Sequence, residues 1–129
     1  VAQVPCVLRR MSEVSDAFGF KVGNVFHAGD GNLHPLILYD ANKPGDLETC
    51  EAFGAEILKL CVEVGGCLTG EHGVGIEKRD LMPVQFQSED LEAQMQIKDV
   101  FDPQWLLNPA KVFPLDSSAE RRNASGSLN

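Results

Sequence analysis

Two of the chain's three histidines bracket one short stretch, His27-Ala28-Gly29-Asp30-Gly31-Asn32-Leu33-His34. Asp-Gly at the centre of a two-residue hairpin loop is a strong turn signal, because both central positions of that turn take positive φ. With Asp30-Gly31 as the turn, Gly29 faces Asn32, Ala28 faces Leu33 and His27 faces His34. Directly opposed residues point to the same side of a sheet, with Cβ atoms roughly 4.5–5.5 Å apart. Two imidazoles at that separation can converge on one metal ion. A lone surface histidine would carry no such meaning, but a pair on partner positions favours metal binding over chance.

The third histidine lies in Thr69-Gly70-Glu71-His72-Gly73-Val74-Gly75. Taken alone, Glu71-His72 reads as a solvated loop. Flanking glycines let the backbone approach a ligand closely, and a carboxylate joined to the two hairpin imidazoles makes a donor set for Zn²⁺, Mn²⁺ or Fe²⁺. Three protein ligands (His27, His34 and Glu71) leave coordination positions open for a substrate. Neither glycine cluster cradles phosphate: Gly29-x-Gly31 lacks a third glycine, and Gly73-x-Gly75 runs into Glu77-Lys78-Arg79. A dinucleotide fingerprint and a P-loop are both excluded.

The elements around these residues follow from apolar period. Val4, Val7, Leu8, Met11, Val14 and Phe18 recur at helical steps and end near Gly19. Lys21 to Ala28 and Leu33 to Tyr39 read as strands on either side of the turn, and apolar residues on both of their faces imply a sheet covered on both sides. Asp46 is placed to cap a helix from Leu47 to Val64 that stops at Gly65-Gly66. Cys67 to Gly75 is an irregular loop. Ser88 caps a helix running to about Phe101, after which Trp105 to Pro114 forms an extended tail. From Leu115 onward no apolar period remains, and disorder is expected over 115–129. Strands joined by a tight turn are antiparallel, so the fold class is α+β, an antiparallel sheet with helices packed on it. Two strands are too few to be stable alone, so partner strands are expected from elsewhere. The chain also opens mid-pattern on Val1, which suggests a fragment of a longer protein.

With 19 acidic and 11 basic residues, the 129-residue chain carries a net charge of −8. That balance repels nucleic-acid backbones and anionic lipid. Apolar runs such as Pro35 to Leu38 are far too short to span a bilayer. Cys6, Cys50, Cys61 and Cys67 form no metal-finger spacing and read as small buried hydrophobes in a reducing cytoplasmic setting.

Three segments together resemble a known family: Asn24 to Pro35, Gly70-Glu71-His72-Gly73-Val74-Gly75, and Leu107-Asn108-Pro109-Ala110-Lys111-Val112-Phe113-Pro114. They are similar to the C-terminal domain of FAD-linked oxidases, in the glycolate oxidase branch, beside D-lactate and D-2-hydroxyglutarate dehydrogenases. The resemblance covers roughly Ser12 to Pro114 and implies a partial ferredoxin-like cap domain over 1–114, without the flavin domain that such enzymes place before it. It implies that His27, His34 and Glu71 hold a divalent metal binding the hydroxyl and carboxylate of a 2-hydroxy acid. It further implies that His72 takes the hydroxyl proton, that FAD takes the hydride, and that Asn108 and Lys111 lie toward the flavin. Val4-Pro5-Cys6 departs from the family's usual Val-Pro-Arg, and the cations that bind the substrate carboxylate lie upstream, so the particular hydroxy acid is not encoded here. A metal-binding or subunit-interaction module without redox activity, or the remnant of a truncated gene, is the competing expectation.

Overall fold

A computed structural model describes residues 1–115. Apart from Leu115, the expected disordered tail lies outside the described residues. The chain divides into two compact units, the first Val1–Gly70 and the second beginning at Glu71.

In the first unit, helix α1 spans Val4–Phe18, strand β1 Lys21–His27, strand β2 Asn32–Leu38 and helix α2 Asp46–Glu63. Pro5 opens α1, where its missing N–H costs no hydrogen bond. The Gly19 N–H closes the helix on the Ser15 carbonyl at 2.9 Å. The apolar stripe of α1 buries Val7 and Met11 against Phe53, Ile57 and Leu60 of α2. Phe53 is fully buried, its ring stacked 5.4 Å from Phe18 and 6.2 Å from Phe20. Truncating a buried Phe of this kind to Ala costs about 3–5 kcal/mol. The Arg10–Glu63 ion pair that also links these helices is exposed at 3.1 Å and adds little.

The strands form a two-stranded antiparallel sheet, giving the expected α+β class. Val22, Leu33 and Ile37 pack on the helical core. The opposite face exposes Val25, Leu36 and Leu38, so the described sheet is covered on one side rather than on both. Apolar alternation marked both faces correctly as apolar, but α1 and α2 lie on only one.

Asp46 is the first helical residue of α2, with Gly45 in the cap position. Its carboxylate instead accepts the Asp40 N–H at 2.9 Å and the Lys43 ammonium at 2.9 Å, tying down the loop that enters the helix. Ser88 is likewise the first residue of its helix, and Gln87 occupies the cap.

The second unit contains a 3₁₀ turn at Arg79–Leu81, helix α3 at Met82–Gln85 and helix α4 at Ser88–Phe101. The turn and α3 had no periodic signal, because a helix of four residues is too short to show one. Met95 of α4, Trp105 and Phe113 form a small core of their own. After α4 the chain has no helix or strand through residue 115. Trp105, Asn108, Ala110 and Val112 all take positive φ there, between 48° and 73°. Asp102 anchors the start of this segment, accepting the Leu106 and Leu107 N–H groups at 3.0 Å and the Lys98 ammonium at 2.8 Å.

Candidate functional site

The hairpin register differs from the expected one. His27 pairs with Asn32, and His34 pairs with Val25. The loop is therefore Ala28 to Gly31, in which the Asp30 and Gly31 N–H groups both bond to the His27 carbonyl at 3.1 Å. Only Gly31 of the Asp30-Gly31 pair has positive φ, at 73°, so the turn is not the two-residue type. His27 and His34 are diagonal rather than opposite, a slip of two positions. Because strand side chains alternate with a period of two, that slip leaves both rings on one face.

Their ring centroids lie 5.5 Å apart, edge to face. A ring nitrogen of each falls within 4.8 Å of one on the other. His34 is half-buried and His27 exposed. Each ring's side is fixed by its own strand: Leu33 and Ile37 turn inward, so His34 between them turns out, and Val22 sets His27 outward in the same way. Val25 and Leu36 share the outer face, so the imidazoles stand on an apolar surface.

Gly70, the last residue of the first unit, lies against the Asn32 side chain so closely that a Cβ there would overlap its amide. Asn32 is the strand partner of His27. Glu71 follows Gly70 by one peptide bond and opens the second unit. Sequence reading missed this use of Asn32; the only signal was its place in the turn motif.

Glu71 and His72 are both exposed, as are Asn108 and Lys111. Asn108 sits in a left-handed conformation, φ 48°. Arg79, which sequence reading treated only as an obstacle to a phosphate cradle, donates to the Ala110 carbonyl at 2.6 Å. No local pattern could have found that bond between residues far apart in sequence.

The cysteines offer no competing site. All four are free, and burial pushes the Cys61 and Cys50 thiols upward, away from the reactive thiolate. They are less buried than expected: Cys67 is exposed and the others half-buried. Among the described residues no helix is long and apolar enough to cross a membrane.

Known proteins give the pattern a context. The chain is 50% identical over 111 residues to glycolate oxidase subunit GlcD of Escherichia coli K12, a match covering 86% of this chain and 22% of the relative. It is 33% identical to GlcD of Bacillus subtilis over 116 residues, 90% of this chain and 25% of the relative. It is 39% identical to a D-lactate dehydrogenase of Archaeoglobus fulgidus over 110 residues, 81% of this chain and 23% of the relative. The chain thus spans about a quarter or less of the relatives it matches. Residues 1–112 match the family described as FAD linked oxidases, C-terminal domain. That match takes in the hairpin histidines, Glu71-His72 and the Asn108-to-Lys111 segment, and the chain therefore belongs to the FAD linked oxidase C-terminal domain family.

Proposed function

We propose that this chain is the substrate- and metal-binding part of an FAD-dependent oxidoreductase acting on a small 2-hydroxy acid of the glycolate or D-lactate type. The observation that carries the reading is the pair His27 and His34, held on one sheet face with rings 5.5 Å apart. The names of the relatives supply the substrate class.

The donor chemistry suits a divalent ion. His27, His34 and Glu71 can each offer one ligand atom, and two imidazoles with one carboxylate match Zn²⁺, Mn²⁺ or Fe²⁺. Two neutral ligands and one anionic ligand leave a net positive charge, which favours an anionic hydroxy acid at the open positions. When bound, the ion supplies Lewis-acid activation of the substrate hydroxyl, and FAD supplies the acceptor for the α-hydrogen. His72 takes the proton from the hydroxyl oxygen as general base. In this reading the carboxylate of Glu71 goes to the metal, where it balances charge, and the neighbouring imidazole of His72 is left for proton transfer.

This chain has no glycine-rich cradle for a dinucleotide. FAD is therefore held chiefly by a separate flavin domain or subunit, with Asn108 and Lys111 approaching it from this side. A reducing cytoplasmic location belongs to the same reading and suits four free thiols.

Elemental analysis of the purified chain tests the metal site. The parent carries a divalent metal, and His27→Ala and His34→Ala each lose it. Equal metal content in parent and both variants would refute the site.

A further inference from the structure

Four non-glycine residues with positive φ within Trp105 to Val112 make an unusual concentration of strained backbone. Such conformations persist only where the surroundings over-determine them, and they cluster where a binding site needs preformed shape. The surroundings here are specific. The Arg79 guanidinium donates to the Ala110 carbonyl at 2.6 Å. Two residues on, the Val112 N–H donates to the Gly75 carbonyl at 2.8 Å. One short segment, Gly75 to Arg79, therefore grips alternate residues of the strained turn. Upstream, the Lys98 ammonium holds the Leu107 carbonyl at 2.9 Å. The turn carrying Asn108 and Lys111 is thus clamped on both sides.

Arg79 is poorly explained as anything else. It is mostly buried, with 18% of its side chain exposed, and its nearest carboxylate oxygen, on Asp80, is 3.6 Å from Nε. That is too long for a hydrogen bond, and Nε has no hydrogen-bond partner. Burying a cation with an incomplete set of partners is costly. The short bond to Ala110 is what the guanidinium gains in return.

We infer that Arg79 is a positioning residue, which locks the Asn108-to-Val112 turn in its left-handed shape and so presents Asn108 and Lys111 to the cofactor. The second half of this statement rests on the assignment of those two residues to the flavin side. A planar guanidinium suits the task because its fixed fork loses little freedom on bonding. Ala110, with φ 59°, is where the strain can be relieved independently. Glycine takes that φ without steric cost, so Ala110→Gly lowers the demand on the clamp.

Amide hydrogen exchange on the full chain tests the clamp. In Arg79→Met, exchange across residues 110–113 speeds up about tenfold or more, while α2 keeps its parental protection. Adding Ala110→Gly restores a substantial part of the lost protection. Unchanged exchange in Arg79→Met would overturn the proposal, as would a double variant no better protected than the single one. Loss of protection in α2 as well would mark Arg79 as a general stability residue and overturn it too. Flavin retention is then measured with the chain assembled with its flavin domain. Loss in Arg79→Met with recovery in the double variant supports the whole statement. Faster exchange with undiminished flavin retention upholds the clamp and instead removes Asn108 and Lys111 from the cofactor side.

Discussion

The different duties proposed for the neighbours Glu71 and His72 give the sharpest tests of chemistry. In the flavin-containing enzyme, His72→Ala keeps its metal and flavin but loses turnover, by about 10²–10⁴-fold if general-base catalysis is the main loss. Glu71→Ala loses metal and activity together. Metal analysis beside single-turnover flavin reduction separates the two. A His72→Ala protein without metal, beside a Glu71→Ala protein that keeps it, would reverse the assignments. The histidine pair was legible in the sequence because strand alternation fixes which side each ring takes. Its register was not, since an Asp-Gly loop of two residues and a loop of four place the same residues on the same faces. Arg79 was illegible for a different reason: its partner is a backbone carbonyl, which no residue type advertises.

The longer elements were legible almost to the residue, because α1, α2 and α4 each carry enough turns for an apolar stripe to repeat. α3 has too few residues for any period, and the cap positions shifted by one because Asp46 and Ser88 found other partners. That shift has a consequence for acid stability. The Asp40 N–H, and then the Lys43 ammonium, hold the Asp46 carboxyl below its ordinary value. For Asp102 the Lys98 ammonium comes first, followed by the Leu107 and Leu106 N–H groups. A carboxyl with a depressed pKa in the folded state takes up protons more readily when unfolded. Its contribution is therefore complete above the unfolded value, about 3.9, and fades as pH falls through that value toward the folded one. Thermal melts should show Asp46→Asn and Asp102→Asn less stable than the parent at pH 7, with a smaller gap at about pH 3, below the unfolded value. A gap of equal size at both pH values would rule out this linkage.

For the whole molecule, the uncovered sheet face and, among the described residues, the two open strand edges dominate behaviour in isolation. Val25, Leu36 and Leu38 are more than half exposed on one face, and strand edges recruit further strands. The net charge of −8 opposes this association. Sedimentation of the chain alone should accordingly show self-association that grows with added salt, as screening removes the repulsion. A monomer at all salt concentrations would contradict it. Purified without a flavin domain, the chain should also show no flavin absorbance band.

The diagonal pairing of His27 and His34 has a further meaning for how the chain reaches its native state. Both imidazoles belong to one hairpin with a four-residue loop, so bringing them together closes only a short segment and needs no distant part of the chain. Hairpins form in about 1–10 μs, far ahead of most long-range docking. An ion captured at that stage would bind the hairpin before the helices have packed, and binding to a structured state draws the population toward it. Divalent metal would then act as a folding template, accelerating refolding when present from the start and not only stabilising the finished protein.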